Sequence, residues 1–505
     1  MADIYGILKN YYGYTSFRKG QEDVIKSLLS GRDTLAVMPT GAGKSVCYQI
    51  PALCMEGITL VISPLISLMQ DQVRTLRSMG IRGAYLNSSL TPRQMEKAIA
   101  NAKDGMYKII YVAPERLEMP SFIDFARNQN IPLVAVDEAH CISQWGHDFR
   151  PSYTQIADFI ARLPKRPVVA AFTATATQMV KKDIVNNLHL KEPYSMSLGF
   201  DRENLYFGLY KPVDKNEFVL NYVKAHEKKS GIIYCLTRRY VDEVAEMLQD
   251  NGIDALPYHA GLDDDERSFN QNEFIYDRAK VIVATNAFGM GIDKPDVRYV
   301  IHYNMPANIE DYYQQAGRAG RDGEPSECIL LYSARDIKIN EYLINKSEEN
   351  EELDPREVKK HIEIKLEKLK LMTFYATSKT TCLRKRILNY FGETYIPPCN
   401  NCSYCMKLRR ETVKKQPVPT KVPVPSKRFV LDEELLAFLE KTRSEIAKIV
   451  GIPAYSVVND RTLREIALRR PKNEADFMKI YGIGEVKMKR YGKTFINAVK
   501  EYEGK

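Results

Sequence analysis

Three short runs of this 505-residue chain hold residues whose types and spacing suit phosphoryl chemistry. MPTGAGKS, residues 38–45, lies between the apolar TLAVM and the helix-forming VCYQIPAL. A glycine-flexed loop in that context turns backbone N–H groups and a helix N-terminus towards phosphate. Thr40, Gly41, Ala42, Gly43, Lys44 and Ser45 would form the cradle, Lys44 neutralising β/γ oxygens and Ser45 holding Mg2+. The strict motif has a glycine where Met38 stands. VAVDEAH, residues 134–140, reads as a strand ending in two carboxylates. Asp137 would join the Mg2+ shell, and Glu138 would be the base for an attacking water. In YYQQAGRAGRDG, Arg318 and Arg321 sit three apart on a glycine-flexed segment, able to stabilise charge on a transferred phosphoryl group.

Two other clusters carry different chemistry. CISQWGHDFRPSY, residues 141–153, follows the carboxylates and holds the only tryptophan. Trp145, His147, Phe149 and Tyr153 interleave with Arg150, a composition suited to base stacking and backbone charge on a single strand. His140 suits a hydrogen bond between domains better than metal ligation. Cys399, Cys402 and Cys405 form C-x2-C-x2-C, with Cys382 upstream and sixteen residues between it and Cys399. Such a set permits a tetrahedral zinc site or an iron–sulfur cluster. The other five of the nine cysteines are scattered among apolar neighbours and read as buried thiols.

The elements that must position these residues alternate. Apolar runs ending in turns (TLAVMP, ITLVISP, KIIYVAP, PLVAVDEAH, PVVAAFTAT) are followed by a second series (SGIIYCLT, DALPYHA, KVIVATNAFGMG, VRYVIHYNMP, CILLYS). Buried parallel strands look like this, with the chemistry at their C-terminal ends. Two tandem α/β domains with a cleft between them are expected. Residues 336–395 are charged and leucine-spaced, hence helical, and residues 429–505 read as a small all-helical domain. The net charge of +9 is uneven: Met406–Arg428 carries eight Lys/Arg against one acidic residue. Within it, KKQPVPTKVPVPSK cannot form a helix or inner strand and reads as an extended tether. The 18 linker residues from 411 to 428 would reach up to ~55 Å, leaving the helical module free to move. The tether lysines suit either a polyanion or plain solubility. No apolar run is long enough for a membrane span and the N-terminus lacks a signal-peptide pattern, so a soluble intracellular protein is expected.

The ordered set FRKGQ, MPTGAGKS, VISPLISLMQDQV, DEAH, AFTATAT, GIIYCLTRR, ATNAFGMGIDKPDVR and QQAGRAGRDG resembles the superfamily 2 helicases, and in detail the RecQ family of DNA helicases, over nearly all of residues 1–405. The resemblance implies two RecA-like parallel-sheet domains (1–205 and 206–335), a helical zinc-binding module (336–410), a linker (411–428) and an HRDC-like all-α domain (429–505). It implies that Tyr14, Arg18 and Gln21 surround adenine, that Thr173 and Thr175 relay between ATP and nucleic acid, and that Asp293 lies near the ribose and phosphates. It favours zinc at the four cysteines and DNA contacts from Trp145, His147, Phe149 and Arg150. The activity implied is ATP- and Mg2+-dependent 3′→5′ translocation and unwinding in repair or recombination. Its partners would be single-stranded and tailed duplex DNA, with no membrane, by a monomer in the cytoplasm or nucleoid. In YGIGEVKMKRYG, Gly482 and Gly484 with Lys487, Lys489 and Arg490 suit a phosphate contact or simply a turn between packed helices. One departure stands out. Many RecQ proteins carry a winged helix between zinc module and HRDC, whereas here only the 23 residues Met406–Arg428 intervene. A translocase or annealing protein that unwinds weakly, or a non-enzymatic DNA-binding scaffold, are the rival expectations.

Overall fold

The computed structural model describes residues 3–146, 148–288, 294–347, 355–413 and 432–504. His147, Asp293 and residues 414–428 of the tether lie outside these. The chain forms two compact units, one built on residues up to Phe200 and the other on residues from Asp201 onward, apart from 391–393, which pack with the first.

The first unit is a seven-stranded sheet of β1 (Thr34–Val37), β2 (Thr59–Ile62), β3 (Gly83–Leu86), β4 (Ile109–Val112), β5 (Leu133–Val136), β6 (Val168–Thr173) and β7 (Tyr194–Ser197), in the order β3-β4-β2-β5-β6-β1-β7. Every pairing is parallel. β1, β2, β4 and β5 are buried at all four positions, as strands covered on both faces must be. The edge strands GAYL and YSMS were not anticipated, because neither is a continuous apolar run; β7 alternates half-buried and exposed residues.

The second unit contains β8 (Leu205–Tyr210), β9 (Ser230–Tyr234), β10 (Ala255–Tyr258), β11 (Val281–Ala284), β12 (Val297–His302) and β13 (Ser326–Leu331), again all parallel, in the order β10-β11-β9-β12-β13-β8. β8 corrects the expected boundary at 205/206. Leu205 pairs with Ser326, so the second domain starts at Asp201. Helices Arg335–Ser347, Pro355–Thr377, Leu383–Tyr390 and Ser403–Val413 follow. The last runs three residues into the stretch assigned to the linker, since prolines begin only at Pro417.

The C-terminal module is all-helical around Leu435, Leu439, Ile466, Phe477, Phe495 and Val499. Its buried Arg443 donates to Asp460 at 2.7 Å and to the Val458 carbonyl at 3.1 Å. The module touches the rest of its unit. Arg464 pairs with Glu324, and the Tyr455 ring lies 5.6 Å from Lys294 Nζ. Its glycine turn is tied to its own domain: Thr462 Oγ1 donates to the Tyr481 carbonyl and Tyr481 N donates to Glu465.

Candidate nucleotide site, aromatic loop and cysteine cluster

Sheet order alone gathers the first site. β5, β6 and β1 are neighbours, with Val136 opposite Ala171 and Val37 opposite Thr173. The loop after β1, Asp137 after β5, and Thr173 at the end of β6 therefore meet at one sheet edge, where chemistry on parallel sheets collects. Gly41 and Gly43 adopt left-handed φ of 84° and 82°. A Cβ on Gly43 would also lie 2.5 Å from Gln21 Nε2, so only glycine fits. The helix Lys44–Cys54 has no side-chain cap, which leaves its first N–H groups to a ligand. Lys44 Nζ bridges back to the Met38 carbonyl at 3.4 Å. The loop fits a polyphosphate.

Arg18 and Gln21 stand over this loop. Arg18 donates to the Gly41 carbonyl, and Gln21 donates to the carbonyls of Ala42 at 3.1 Å and Gly43 at 3.2 Å. Gln21 Oε1 accepts from Arg18 N at 2.9 Å. In this structure both residues grip the loop itself, a role the expectation of adenine contact did not include. Tyr14 packs partly buried beside Ile4, Leu8 and Ile50.

Asp137 is buried, and its Oδ1 accepts from Glu138 N at 3.0 Å. Burial, reinforced by the Glu138 charge, pushes its carboxyl up to about 7, while Lys44 pulls the other way. Glu138 itself sits at a left-handed φ of 47°. Non-glycine residues in that region cost on the order of 1–3 kcal/mol and cluster at functional sites. The bent backbone carries the Glu138 carboxylate to 3.3 Å from His140 Nδ1. That nitrogen also lies 2.9 Å from Thr173 Oγ1, which donates to the Thr175 carbonyl at 3.0 Å. His140 is thus a hydrogen-bonding residue, joined to Glu138 and Thr173 of its own unit.

The aromatic loop is divided. Trp145, Phe149 and Arg150 are half-buried on a segment between two short 3-10 turns, Ala139–Ile142 and Pro151–Gln155. Arg150 donates to Asp148 at 3.1 Å and to the Pro64 carbonyl at 3.0 Å, so its charge is already balanced. Tyr153 is no stacking residue: it is fully buried, and its hydroxyl donates to the Asp137 carbonyl at 3.0 Å. This bond ties the loop to the carboxylate pair and was invisible in sequence, because only the fold decides which way a tyrosine faces. Tyr153→Phe is expected to cost about 1 kcal/mol of stability. A urea titration of the intact chain measures it, with an unchanged midpoint as the contrary result.

In the second unit, Arg318 and Arg321 follow the helix Ile309–Ala316. Tyr234, at the end of β9, donates to the Phe288 carbonyl at 2.8 Å and lies in hydrogen-bonding reach of Arg318. Farther along the same unit, the sulfurs of Cys382, Cys399, Cys402 and Cys405 lie within 4.8 Å of one another, the Cys382–Cys402 separation being 4.0 Å. A tetrahedral metal with ~2.3 Å bonds to sulfur needs sulfurs about 3.8 Å apart, so the set fits zinc closely. Hydrogen bonds from Cys382 and Cys399 hold the Cys402 thiol far below its ordinary range, and those between Cys399 and its neighbours Cys382 and Cys402 push Cys399 up.

Two parallel sheets, a phosphate loop, an adjoining Asp–Glu pair and a glycine-flexed arginine loop define a helicase-type NTPase. Residues 18–183 match the DEAD/DEAH box helicase family and 214–323 the helicase conserved C-terminal domain. Residues 334–406 match the RecQ zinc-binding family and 432–499 the HRDC domain. The chain is 37% identical to the ATP-dependent DNA helicase RecQ of Bacillus subtilis, covering 98% of each chain, and 36% identical to that organism's probable ATP-dependent DNA helicase RecS, covering 80% of this chain and 92% of the relative. It belongs to the RecQ family of ATP-dependent DNA helicases. A Saccharomyces cerevisiae Dbp5 structure bound to RNA and ADP BeF3 shares the fold at a TM-score of 0.54 and 20% identity, covering 72% of this chain and 98% of that one. The match to Bacillus subtilis RecQ runs over 589 positions, so at least 84 of them have no residue in this chain of 505. Among the described residues no helix is long and apolar enough to cross a membrane.

Proposed function

We propose that this enzyme hydrolyses ATP with Mg2+ to move 3′→5′ along single-stranded DNA and to part tailed duplexes in repair or recombination, as a monomer in the cytoplasm or nucleoid. The observation that carries the reading is the convergence of Lys44, Asp137, Glu138 and Thr173 at adjacent strand ends, joined by the chain of contacts through His140. Ser45 and Asp137 would hold Mg2+, which when bound would supply charge neutralisation at the phosphates. Lys44 orients and neutralises the phosphates, and the Glu138 carboxylate takes the proton of the attacking water. Arg318 and Arg321 stabilise charge developing on the transferred group. Tyr14, Arg18 and Gln21 would surround the adenine, Arg18 and Gln21 by leaving the loop carbonyls they hold here, and Asp293 would face the ribose.

Trp145, Phe149 and Arg150, and His147 of the same sequence stretch, would meet the strand. The Tyr153–Asp137 bond and the His140–Thr173–Thr175 contacts are the physical route by which strand binding reaches the water-activating carboxylate. A second reading, an ATP-driven translocase that unwinds weakly, is favoured by the alignment positions for which this chain has no residue. A winged helix of about 100 residues, an ordinary domain size, would fill such a gap.

The test is strand displacement on a 3′-tailed duplex, run beside ATPase with the same single strand. Robust ATPase with displacement supports the helicase; ATPase without it transfers the assignment to the translocase. Lys44→Ala is expected to abolish both activities, and full DNA-stimulated ATPase in that variant would overturn the assigned site.

A further inference from the structure

The loop carrying Arg318 and Arg321 is held by side chains with no assigned role. The Arg202 guanidinium, just ahead of β8, donates to three of its carbonyls: Gly317 at 3.4 Å, Ala319 at 3.2 Å and Gly320 at 2.7 Å. Asn204 Nδ2 donates to the Gly320 and Glu324 carbonyls, each at 2.9 Å. From the other side, Gly320 N donates to the Val297 carbonyl at 2.9 Å, and Asp322 pairs with Arg298. Gly320 has a φ of 56°, and a Cβ there would lie 2.5 Å from Asn204 Nδ2, so the turn is shaped around this grip. A planar fork of five donors is the side chain able to fix several carbonyls at once.

The 201–205 segment is in turn gripped by the cysteine module. Arg384, two residues after Cys382 and buried, pairs with Asp201 and donates to the carbonyls of Arg202 at 2.8 Å and Leu205 at 2.6 Å. It also reaches the Cys399 sulfur. Asn401, between Cys399 and Cys402, donates to the carbonyls of Glu203 at 2.8 Å and Leu205 at 3.1 Å. Its own carbonyl accepts from Phe207 N at 3.3 Å. An unbroken series of short polar contacts therefore runs from the metal-ligating loop to the arginine loop.

We infer that the zinc module is a positioning element for ATP hydrolysis, acting through Arg384 and Asn401 on residues 201–205, and through Arg202 and Asn204 on the loop that presents Arg318 and Arg321. The inference rests on the proposed role of those two arginines. Arg202 and Arg384 are positioning residues; neither is assigned a contact with ATP. Misplacement of catalytic groups by about 1 Å can cost ~100-fold in rate, whereas ground-state binding through the phosphate loop is untouched.

The test measures DNA-stimulated kcat, KM for ATP, zinc per chain and binding of ADP with aluminium fluoride, a mimic of the transferred phosphoryl group. Arg202→Gln is expected to lower kcat about 10- to 100-fold, keep KM within about twofold, keep zinc, and lose tight binding of the mimic; Arg202→Lys recovers little. The triple variant Arg202→Gln/Arg318→Ala/Arg321→Ala should be no slower than Arg318→Ala/Arg321→Ala, and multiplied losses would overturn the positioning role. Arg384→Gln should reproduce the kcat loss. If that variant does not fold, Asn401→Ala decides, with a smaller kcat loss at full zinc content expected. Wild-type kcat in the deciding variant at full zinc overturns the link to the zinc module. Undiminished kcat in Arg321→Ala would instead remove the assigned arginine role, a distinct failure.

Discussion

Glu138→Gln is expected to slow ATP hydrolysis by about 100- to 10,000-fold, the usual worth of a positioned general base, while ATP still binds. The loss corresponds to roughly 3–5 kcal/mol in the barrier. Gln retains shape and polarity but cannot accept the proton of the attacking water. Lys44 and the helix N-terminus, which hold phosphate, are unaltered. Single-turnover hydrolysis with nucleotide affinity measured in parallel checks this; turnover above about a tenth of wild type would remove Glu138 from the role. A companion variant separates chemistry from folding. Because Glu138 occupies a left-handed conformation with φ 47°, Glu138→Gly relieves backbone strain and is expected to raise stability by about 1 kcal/mol, since that conformation costs ~1–3 kcal/mol for other residues. It should be equally inactive. Gain of stability with loss of turnover is the signature of strain retained for function, and a destabilised Glu138→Gly chain would contradict it.

Cys402→Ser is expected to have the other large effect. Cys402 is the most interior ligand, with no exposure and a sulfur 4.0 Å from that of Cys382. Zinc held by such sites contributes on the order of 10–16 kcal/mol in small peptides, comparable to the whole ~5–15 kcal/mol stability of a domain. Loss of the metal should therefore unfold the Leu383–Val413 region, not merely loosen it. Expected observations are one zinc per chain in the wild type and none in the variant, with new protease cleavage in 378–413. Cys54→Ser, remote and half-buried, serves as the control and should leave zinc at one per chain. A variant that loses zinc yet keeps its protease resistance would show the metal to be dispensable. Visible absorption near 400 nm would point to iron–sulfur, the alternative that cysteine spacing alone left open. Chelation of the wild type is expected to lower kcat before it unfolds the first unit, because the 201–205 segment loses the grip of Arg384 and Asn401.

How much of this was legible before the fold is clearest residue by residue. The phosphate loop, the Asp–Glu pair, the paired arginines and the four cysteines are local patterns. Their chemistry requires particular residue types within a few positions of each other, and such spacing survives in one dimension. Apolar runs such as TLVI and LVAV are legible for the same reason, since a strand buried on both faces has no polar positions. The edge strands Gly83–Leu86 and Tyr194–Ser197 were not, because one side of an edge strand is unpaired and its residues need not be uniformly apolar; Leu205–Tyr210, apolar throughout, was hidden by its place at the expected domain boundary.

What only tertiary structure decided is direction and partnership. Tyr153 shares its loop with Trp145 and Phe149, yet faces the core and bonds the Asp137 backbone. Arg18 and Gln21 turn onto the phosphate loop, and His140 pairs with Thr173, across a distance no local pattern records. Arg384 stands in a basic RKR run that sequence alone offers to phosphate, and nothing in the sequence sets Arg202 apart. Their partners are backbone carbonyls, which every residue carries and no sequence distinguishes. Side-chain chemistry is written in residue identity, so the sequence by itself determined which reaction this protein is equipped for. Backbone acceptors are anonymous until the chain folds, so which groups hold that chemistry in place was decided by the tertiary structure.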